Sequence, residues 1–353
     1  MKFDTEQTST YIINRFPPPL SPYRYAVDVE SALKGNGVII NLHFEKNGWS
    51  LPHNGMDFDG KFTSQKLNVI SPKISFHNAK KYIENNQSET KVVHYTNQFS
   101  SIMRVRNSIE IISVHDSPYY LDDLSLTSKI YFSHLYHHIS NVKHVIVQTN
   151  SLKKDLIEFG FTGYIDVIPL ATSPTFRQLD VRKEAIRLKY GLPINKKIIL
   201  SVSSDLPRKN LLNIKRASKL LGDEFALVRV GPVVADSFSF HQVDDQVLNE
   251  LYNASDFLLF PSLYEGFGLP IIEAFAAGTP VITSNIPTIK EIAGNAAIFV
   301  DPNKPEEIAE GVRRATDLVD SLKRKGNERS ELYSYHNFQD RILNYYCEIL
   351  NKQ

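Results

Sequence analysis

Two glutamates eight positions apart, Glu265 and Glu273, stand on either side of a glycine pair in PSLYEGFGLPIIEAFAAGTP (261–280). A carboxylate is an acceptor only and can take two hydroxyl donors at once, so two of them beside an anion cradle point to a polyhydroxylated ligand carrying a phosphate. The same stretch supplies the cradle. Gly266 and Gly268 let the backbone approach a ligand, and Pro270 suits the first position of a helix whose opening amides have no partner. Such a terminus attracts an anion, but its dipole contributes only ~0.3–2 kcal/mol, too little to hold a diphosphate alone. Cations must therefore come from elsewhere, and Arg208 and Lys209 offer them in SSDLPRKN (203–210), in a strand-to-helix loop where cations meet phosphate at a sheet edge. A nucleotide sugar fits this set of residues. A plain strand-to-helix junction, with Glu265 solvated and Glu273 paired to a neighbour, fits the two glutamates equally well.

These residues need a scaffold, and the chain spells one out. Phe257-Leu258-Leu259-Phe260 reads as a buried strand that Pro261 must end, followed by a helix that stops at Gly278. Short apolar runs at 11–13, 38–40, 92–93, 111–114, 145–147, 166–168, 198–202 and 226–230 alternate with longer periodic segments, the rhythm of βαβ units and a mainly parallel sheet. In such sheets ligands gather at the carboxyl ends of the strands.

With 353 residues the chain can build two α/β domains. Lys plus Arg (40) nearly equals Asp plus Glu (39), which excludes a global field drawing in nucleic acid or an anionic membrane. No run approaches the ~18 apolar residues of a membrane span, and MKFDTEQTST lacks the apolar segment of a signal peptide, so a cytoplasmic protein is expected. The single cysteine, Cys347, excludes an internal disulfide and a cysteine-based zinc site. His134 and His138 lie one helical turn apart in the ring-rich stretch 126–139, but no local carboxylate or cysteine joins them, so they read as part of an amphipathic helix. No DxD-like pair follows a strand, and the sequence calls for no metal.

The Glu-x7-Glu pattern inside PSLYEGFGLPIIEAFAAGTPVI, followed by SNIPTIKEIAGNAAIFVDP, resembles the donor-binding signature of retaining GT-B glycosyltransferases of family 4, the glycosyl transferases group 1, mannosyltransferase-like. The resemblance covers most of the C-terminal half. It implies two Rossmann-like domains facing across a cleft: an acceptor domain over 1–173, a donor domain over 174–335, and a last helix, about 336–353, returning to the first. It implies that Glu273 holds the ribose and Glu265 the donor sugar. Amides of Phe267, Gly268 and Leu269 would meet sugar and phosphate, Lys209 the diphosphate, and backbone groups at Gly231 and Val243 the base. His115, in SVHDSP directly after a strand, matches a histidine on the leaving-group side that could donate a hydrogen bond or cover developing charge, with Asp116 orienting its ring or capping the next segment.

Three features stand apart from the pattern. Pro17-Pro18-Pro19 occupies the place of a flexible glycine pair, which puts acceptor recognition in doubt. Ser203-Ser204 stands where many relatives carry a glycine followed by arginine or threonine, a loss for which Arg208 would compensate. Trp49, between Gly48 and Ser50, could stack on a sugar or touch a membrane interface, or simply pack.

The expected activity is a metal-independent, retaining transfer of a hexose to a hydroxyl of a glycan or lipid-linked acceptor. Glu265 would position the sugar, while Lys209, Arg208 and the loop amides carry charge growing on the departing diphosphate. GDP-mannose leads as donor, by likeness to mannosyltransferases, with UDP-hexoses open; the donor is a substrate and no cofactor is expected. No nucleic acid partner is expected, and a peripheral membrane contact is open, as are acceptor and oligomeric state. Two other readings compete: a phosphorylase or sugar-nucleotide epimerase on the same fold, and a catalytically silent sugar-nucleotide-binding subunit.

Overall fold

A computed structural model describes residues 8–14, 21–33, 37–41, 80–86, 90–98, 104–119, 133, 135–137, 139–234 and 237–351. The proline run 17–19, Trp49, His134 and His138 lie outside them. The chain divides into two compact units, one of Met1–Gln148, Leu152–Ile168 and Phe338–Gln353, the other of Thr149–Ser151 and Pro169–Asn337.

The first unit is built on β1 (Thr8–Asn14), β2 (Gly37–Asn41), β3 (Thr90–Tyr95), β4 (Ile109–Val114), β5 (His144–Val147) and β6 (Tyr164–Val167). They form one six-stranded sheet in the order β2-β1-β3-β4-β5-β6, every pair parallel. All six residues of β4, IEIISV, are buried, as expected of a parallel strand covered on both faces. Strand order reverses between β1 and β3, which opens a crevice at their carboxyl ends. Helix α1 (Ser21–Ala32) packs on β1 and β2, and α2 (Asn150–Phe159) follows β5.

The tail helix, Tyr335–Asn351, buries Phe338, Ile342, Tyr345, Tyr346 and Ile349, one stripe at helical spacing. A chain of polar groups ties it to the sheet. The Tyr346 hydroxyl lies 2.7 Å from His94 Nδ1, His94 Nε2 lies 2.7 Å from Ser113 Oγ, and Ser113 Oγ lies 2.8 Å from the Tyr25 hydroxyl. Burial pushes the His94 imidazole down to about 3, helped by the nearby His115, so the ring is neutral.

The second unit carries β7 (Lys197–Val202), β8 (Phe225–Val230), β9 (Phe238–Phe240), β10 (Phe257–Phe260), β11 (Val281–Ser284) and β12 (Ala297–Val300). Its order is β12-β11-β10-β7-β8-β9, again all parallel. Here the reversal falls between β7 and β10. The connecting helices are α3 (Lys183–Lys189), α4 (Leu211–Leu221), α5 (Asp245–Ala254), α6 (Leu269–Ala276), α7 (Pro287–Ala293), α8 (Pro305–Asp317) and α9 (Val319–Ser330). The sequence places β10 and the proline-led α6 where they are found. It also places the start of α5, where the Asp244 carboxylate accepts from Val247 N–H at 2.8 Å.

Candidate active site

The strand-order reversal of the second unit puts two loops side by side, one leaving β7 and one leaving β10. After β7 the chain runs through Ser203–Leu206 into a 3-10 turn, Pro207–Lys209, and then Asn210 adopts a left-handed conformation (φ 59°, ψ 35°) that redirects it into α4. Asn210 tolerates that conformation better than most side chains and is held there by its amide, which donates to the carbonyls of Pro261 (2.9 Å) and Pro302 (2.6 Å). The Leu263 N–H donates to the Arg208 carbonyl at 2.8 Å, a second stitch between the loops.

This stitching brings the two cations onto the loop glutamate. Lys209 Nζ lies 2.6 Å from Glu265 Oε1, and an Arg208 guanidinium nitrogen lies 3.7 Å from Oε2. Glu265 is only 6% exposed, so the solvated role is ruled out in this conformation. Aromatic rings shield the cations: Lys209 Nζ lies 5.4 Å from the Phe260 ring centre, and the Arg208 guanidinium 5.9 Å from that of Tyr264. Two cations face one carboxylate, so the cluster keeps a net positive charge suited to a dianionic ligand.

The other expected residues of this unit stand on α6 and its glycine loop and at the ends of β8 and β9. Gly268 is the N-cap of α6 at φ 112°, a conformation that favours glycine, and it offers no side chain to the first amides of that helix. Phe267 is buried, its ring edge-to-face on Tyr333 at 5.8 Å, and Leu269 packs half-buried against the core. Their side chains belong to the interior, which leaves backbone groups for a ligand. Glu273 is buried in α6 and takes the Tyr252 hydroxyl on Oε2 at 3.0 Å. Gly231, at the end of β8, has φ 129°, and its N–H is taken by the Phe240 carbonyl at 2.8 Å. Val243 packs half-buried on the core just ahead of α5.

His115 lies in the first unit, directly after β4. Its Nε2 stands 2.7 Å from the Thr96 carbonyl, which can only accept, so the neutral ring carries its proton on Nε2. Burial pulls this imidazole below its ordinary range, against the Thr96 contact and the Asp116 charge, which raise it. The neutral ring therefore has its one N–H already committed and only Nδ1 left as an acceptor, with the Gln148 side chain among the groups that act on the ring. This differs from a histidine that donates to a leaving group. Asp116 acts on the ring through its charge.

Arg229 is the residue that the sequence reading passed over. It sits inside β8, FALVRV, fully buried. One guanidinium nitrogen donates to the carbonyl (3.2 Å) and hydroxyl (3.1 Å) of Ser201, the other to the carbonyls of Ser203 and, at 3.3 Å, Ser204. The signal was available: a lone arginine in an apolar run destined for burial must find partners.

Among the described residues no group of three or more His, Cys, Asp or Glu side chains could hold a metal ion, and no helix is long and apolar enough to cross a membrane.

Comparison with known proteins agrees with this architecture. The protein is a glycosyltransferase with the GT-B fold. Residues 182–329, most of the second unit, match the family described as Glycosyl transferases group 1, and the chain carries that domain. It is 26% identical over 257 residues to the O-antigen chain mannosyltransferase RfbU of Salmonella typhimurium, covering 68% of this chain and 69% of that one. Among solved structures, sucrose-phosphate synthase from Thermosynechococcus elongatus superposes with a TM-score of 0.80 at 18% identity over 98% of this chain and 100% of that one. Anabaena HepE, in complex with UDP-glucose, gives 0.77 at 13% identity over 96% and 99%.

Proposed function

We propose that the protein transfers a hexose, with mannose the leading candidate, from a nucleotide-sugar donor to a hydroxyl of a glycan or lipid-linked acceptor. Transfer retains anomeric configuration and belongs to family 4 chemistry, with no metal needed at the donor diphosphate. The observation that carries this reading is the Lys209–Glu265 pair at 2.6 Å, bridging the two loops at the strand-order reversal of the second unit. Mannose rests on the likeness to a mannosyltransferase, and a nucleotide sugar on the UDP-glucose complex of a protein sharing the fold.

In this reading the donor diphosphate takes hydrogen bonds from Lys209 and Arg208 and lies against the glycine loop. Charge that grows on the departing phosphate meets cations already fixed in place, so little reorganisation is needed as the bond breaks. Glu265, freed in part from Lys209, accepts from a donor-sugar hydroxyl. Glu273, its carboxylate oriented by Tyr252, accepts from the ribose. Backbone groups at Phe267, Gly268 and Leu269 complete the sugar and phosphate contacts, and those at Gly231 and Val243 border the base. Because the Gly231 N–H is taken by Phe240, its carbonyl is the group left for that role. His115 enters as an acceptor for a hydroxyl through Nδ1. The protein would act in the cytoplasm, where a peripheral membrane contact would bring it a lipid-linked acceptor.

A thermal-shift and calorimetric panel of GDP, UDP, GDP-mannose and UDP-hexoses, run with chelator present, tests the reading. A matching nucleotide sugar at about 100 times its Kd should raise the melting temperature by roughly 5 °C or more. Failure of every nucleotide to bind would overturn the donor site, and binding only after a divalent ion is restored would overturn metal independence. NMR of the product's anomeric centre decides retention.

A further inference from the structure

Arg229 is the largest fully buried side chain of the described residues. A buried guanidinium is costly unless paired, yet among the described residues every hydrogen bond it makes goes to backbone carbonyls or a hydroxyl, and none to a carboxylate. Among the described residues its Nε has no hydrogen-bond partner. The acid whose charge reaches it is Asp205, which is itself exposed.

The carbonyls it holds determine what the loop presents. Ser203 and Ser204 both turn their oxygens onto one guanidinium nitrogen. In a trans peptide the C=O of one residue and the N–H of the next point in opposite directions. The N–H groups of Ser204 and Asp205 therefore point away from Arg229, outward from a loop whose residues Ser204 to Leu206 are exposed. Successive amides aimed the same way form an anion-binding nest. Gly231 makes room for this arrangement: a Cβ there would lie 2.1 Å from the Ser203 carbonyl and 3.0 Å from the guanidinium. The hydroxyl of Ser203, in the same loop, is buried and has no hydrogen-bond partner among the described residues.

We propose that Arg229 is a positioning residue of the phosphate seat. It holds the Ser203 and Ser204 carbonyls inward so that the amides of Ser204 and Asp205 face an anion, and it places a positive charge beneath them. This deepens the donor-site reading and rests on it for the identity of the anion, a nucleoside diphosphate. Lys209 and Arg208 approach the ligand from the turn that follows; Arg229 shapes the segment that precedes them, in the place where Ser203-Ser204 carries no cation of its own.

Calorimetry on the full chain tests it, comparing wild type, R229M and R229K against GDP, UDP, guanosine, uridine and inorganic pyrophosphate. R229M should weaken diphosphate binding about tenfold or more while nucleoside affinity stays within about twofold. R229K, which keeps the charge but has one nitrogen where the guanidinium uses two, one on Ser201 and one on Ser203 and Ser204, should fall between, and it decides the matter if R229M does not fold. Loss of diphosphate and nucleoside affinity in equal proportion, or diphosphate affinity unchanged in the informative variant, would overturn the proposal. If wild type binds no nucleotide, the donor reading falls, and the pyrophosphate arm still judges Arg229: loss in the variants supports the seat, and equal binding or no binding by wild type refutes it.

Discussion

At the crevice of the second unit, charge stands ready: Lys209 and Arg208 converge on Glu265, with Arg229 buried in the adjacent strand. At the corresponding strand ends of the first unit the described histidines are neutral, and the charge beside them is the Asp116 carboxylate. His94 is buried and neutral, His115 is held in one neutral tautomer by the Thr96 carbonyl, and the His115 backbone N–H donates to the Gln98 amide oxygen. Both crevices arise from the same topological rule, a reversal of strand order in a parallel sheet. The rule sets the place, and side-chain chemistry sets what each place can hold. One crevice suits a phosphate, whereas the other suits a neutral hydroxyl-bearing group.

The contrast is broken most sharply by removing the cation. K209A leaves the buried Glu265 with only the longer Arg208 contact, and nucleoside diphosphate affinity measured by calorimetry should fall about 100-fold or more. Unchanged affinity would mean that the two crevices do not differ in the way described.

Acid should separate the units next. His94 has its folded value lowered to about 3, so its contribution to stability is complete above the unfolded value of ~6.5 and is lost as pH falls toward the folded one. Within that window the first unit should lose about 1.4 kcal/mol per pH unit from this group. In the second unit Asp256 has its value lowered by Lys183, the Ile198 N–H and Arg187, against burial, which raises it. Its contribution is present above the ordinary carboxylate value and is lost only in stronger acid. Hydrogen exchange read by mass spectrometry should therefore show first-unit strands opening at higher pH than second-unit strands, and H94Q should flatten the first-unit slope.

The smallest effect sharpens the charged side. Y252F removes the donor that orients Glu273 without touching a ligand. Nucleotide affinity should drop about threefold, with the discrimination between ribo- and 2′-deoxyribonucleotides eroded. A loss as large as that of K209A would show that the α6 carboxylate outweighs the cations.

What could be read from residues alone follows the range of the interactions. The β10–loop–α6 segment and the Arg208-Lys209 turn carry their chemistry in short contiguous motifs, so strand, glycine bend, helix start and cations were all legible. The partners that define their state are distant in the chain. Glu265 meets Lys209 across 56 positions, and the proton of His115 is settled by Thr96, 19 positions away. Neither spacing leaves a mark in sequence. Arg229 was missed because it interrupts an apolar run, and a strand expectation built on β-branched residues treats one charge as noise. The sequence pattern sets β6 at 166–168, whereas it occupies Tyr164–Val167. It is an edge strand whose first residue, Tyr164, is 60% exposed, so its pattern lacks the apolar run that marks an interior strand.

The hydrogen bond between Tyr346 and His94 joins the last helix to a strand made some 250 residues earlier. During synthesis the second unit has all but its last few residues before that helix emerges, while the first still lacks the stripe that seals its core. The nascent first unit must wait with His94 and Ser113 unclosed, and the later-made unit is complete before the earlier one can be.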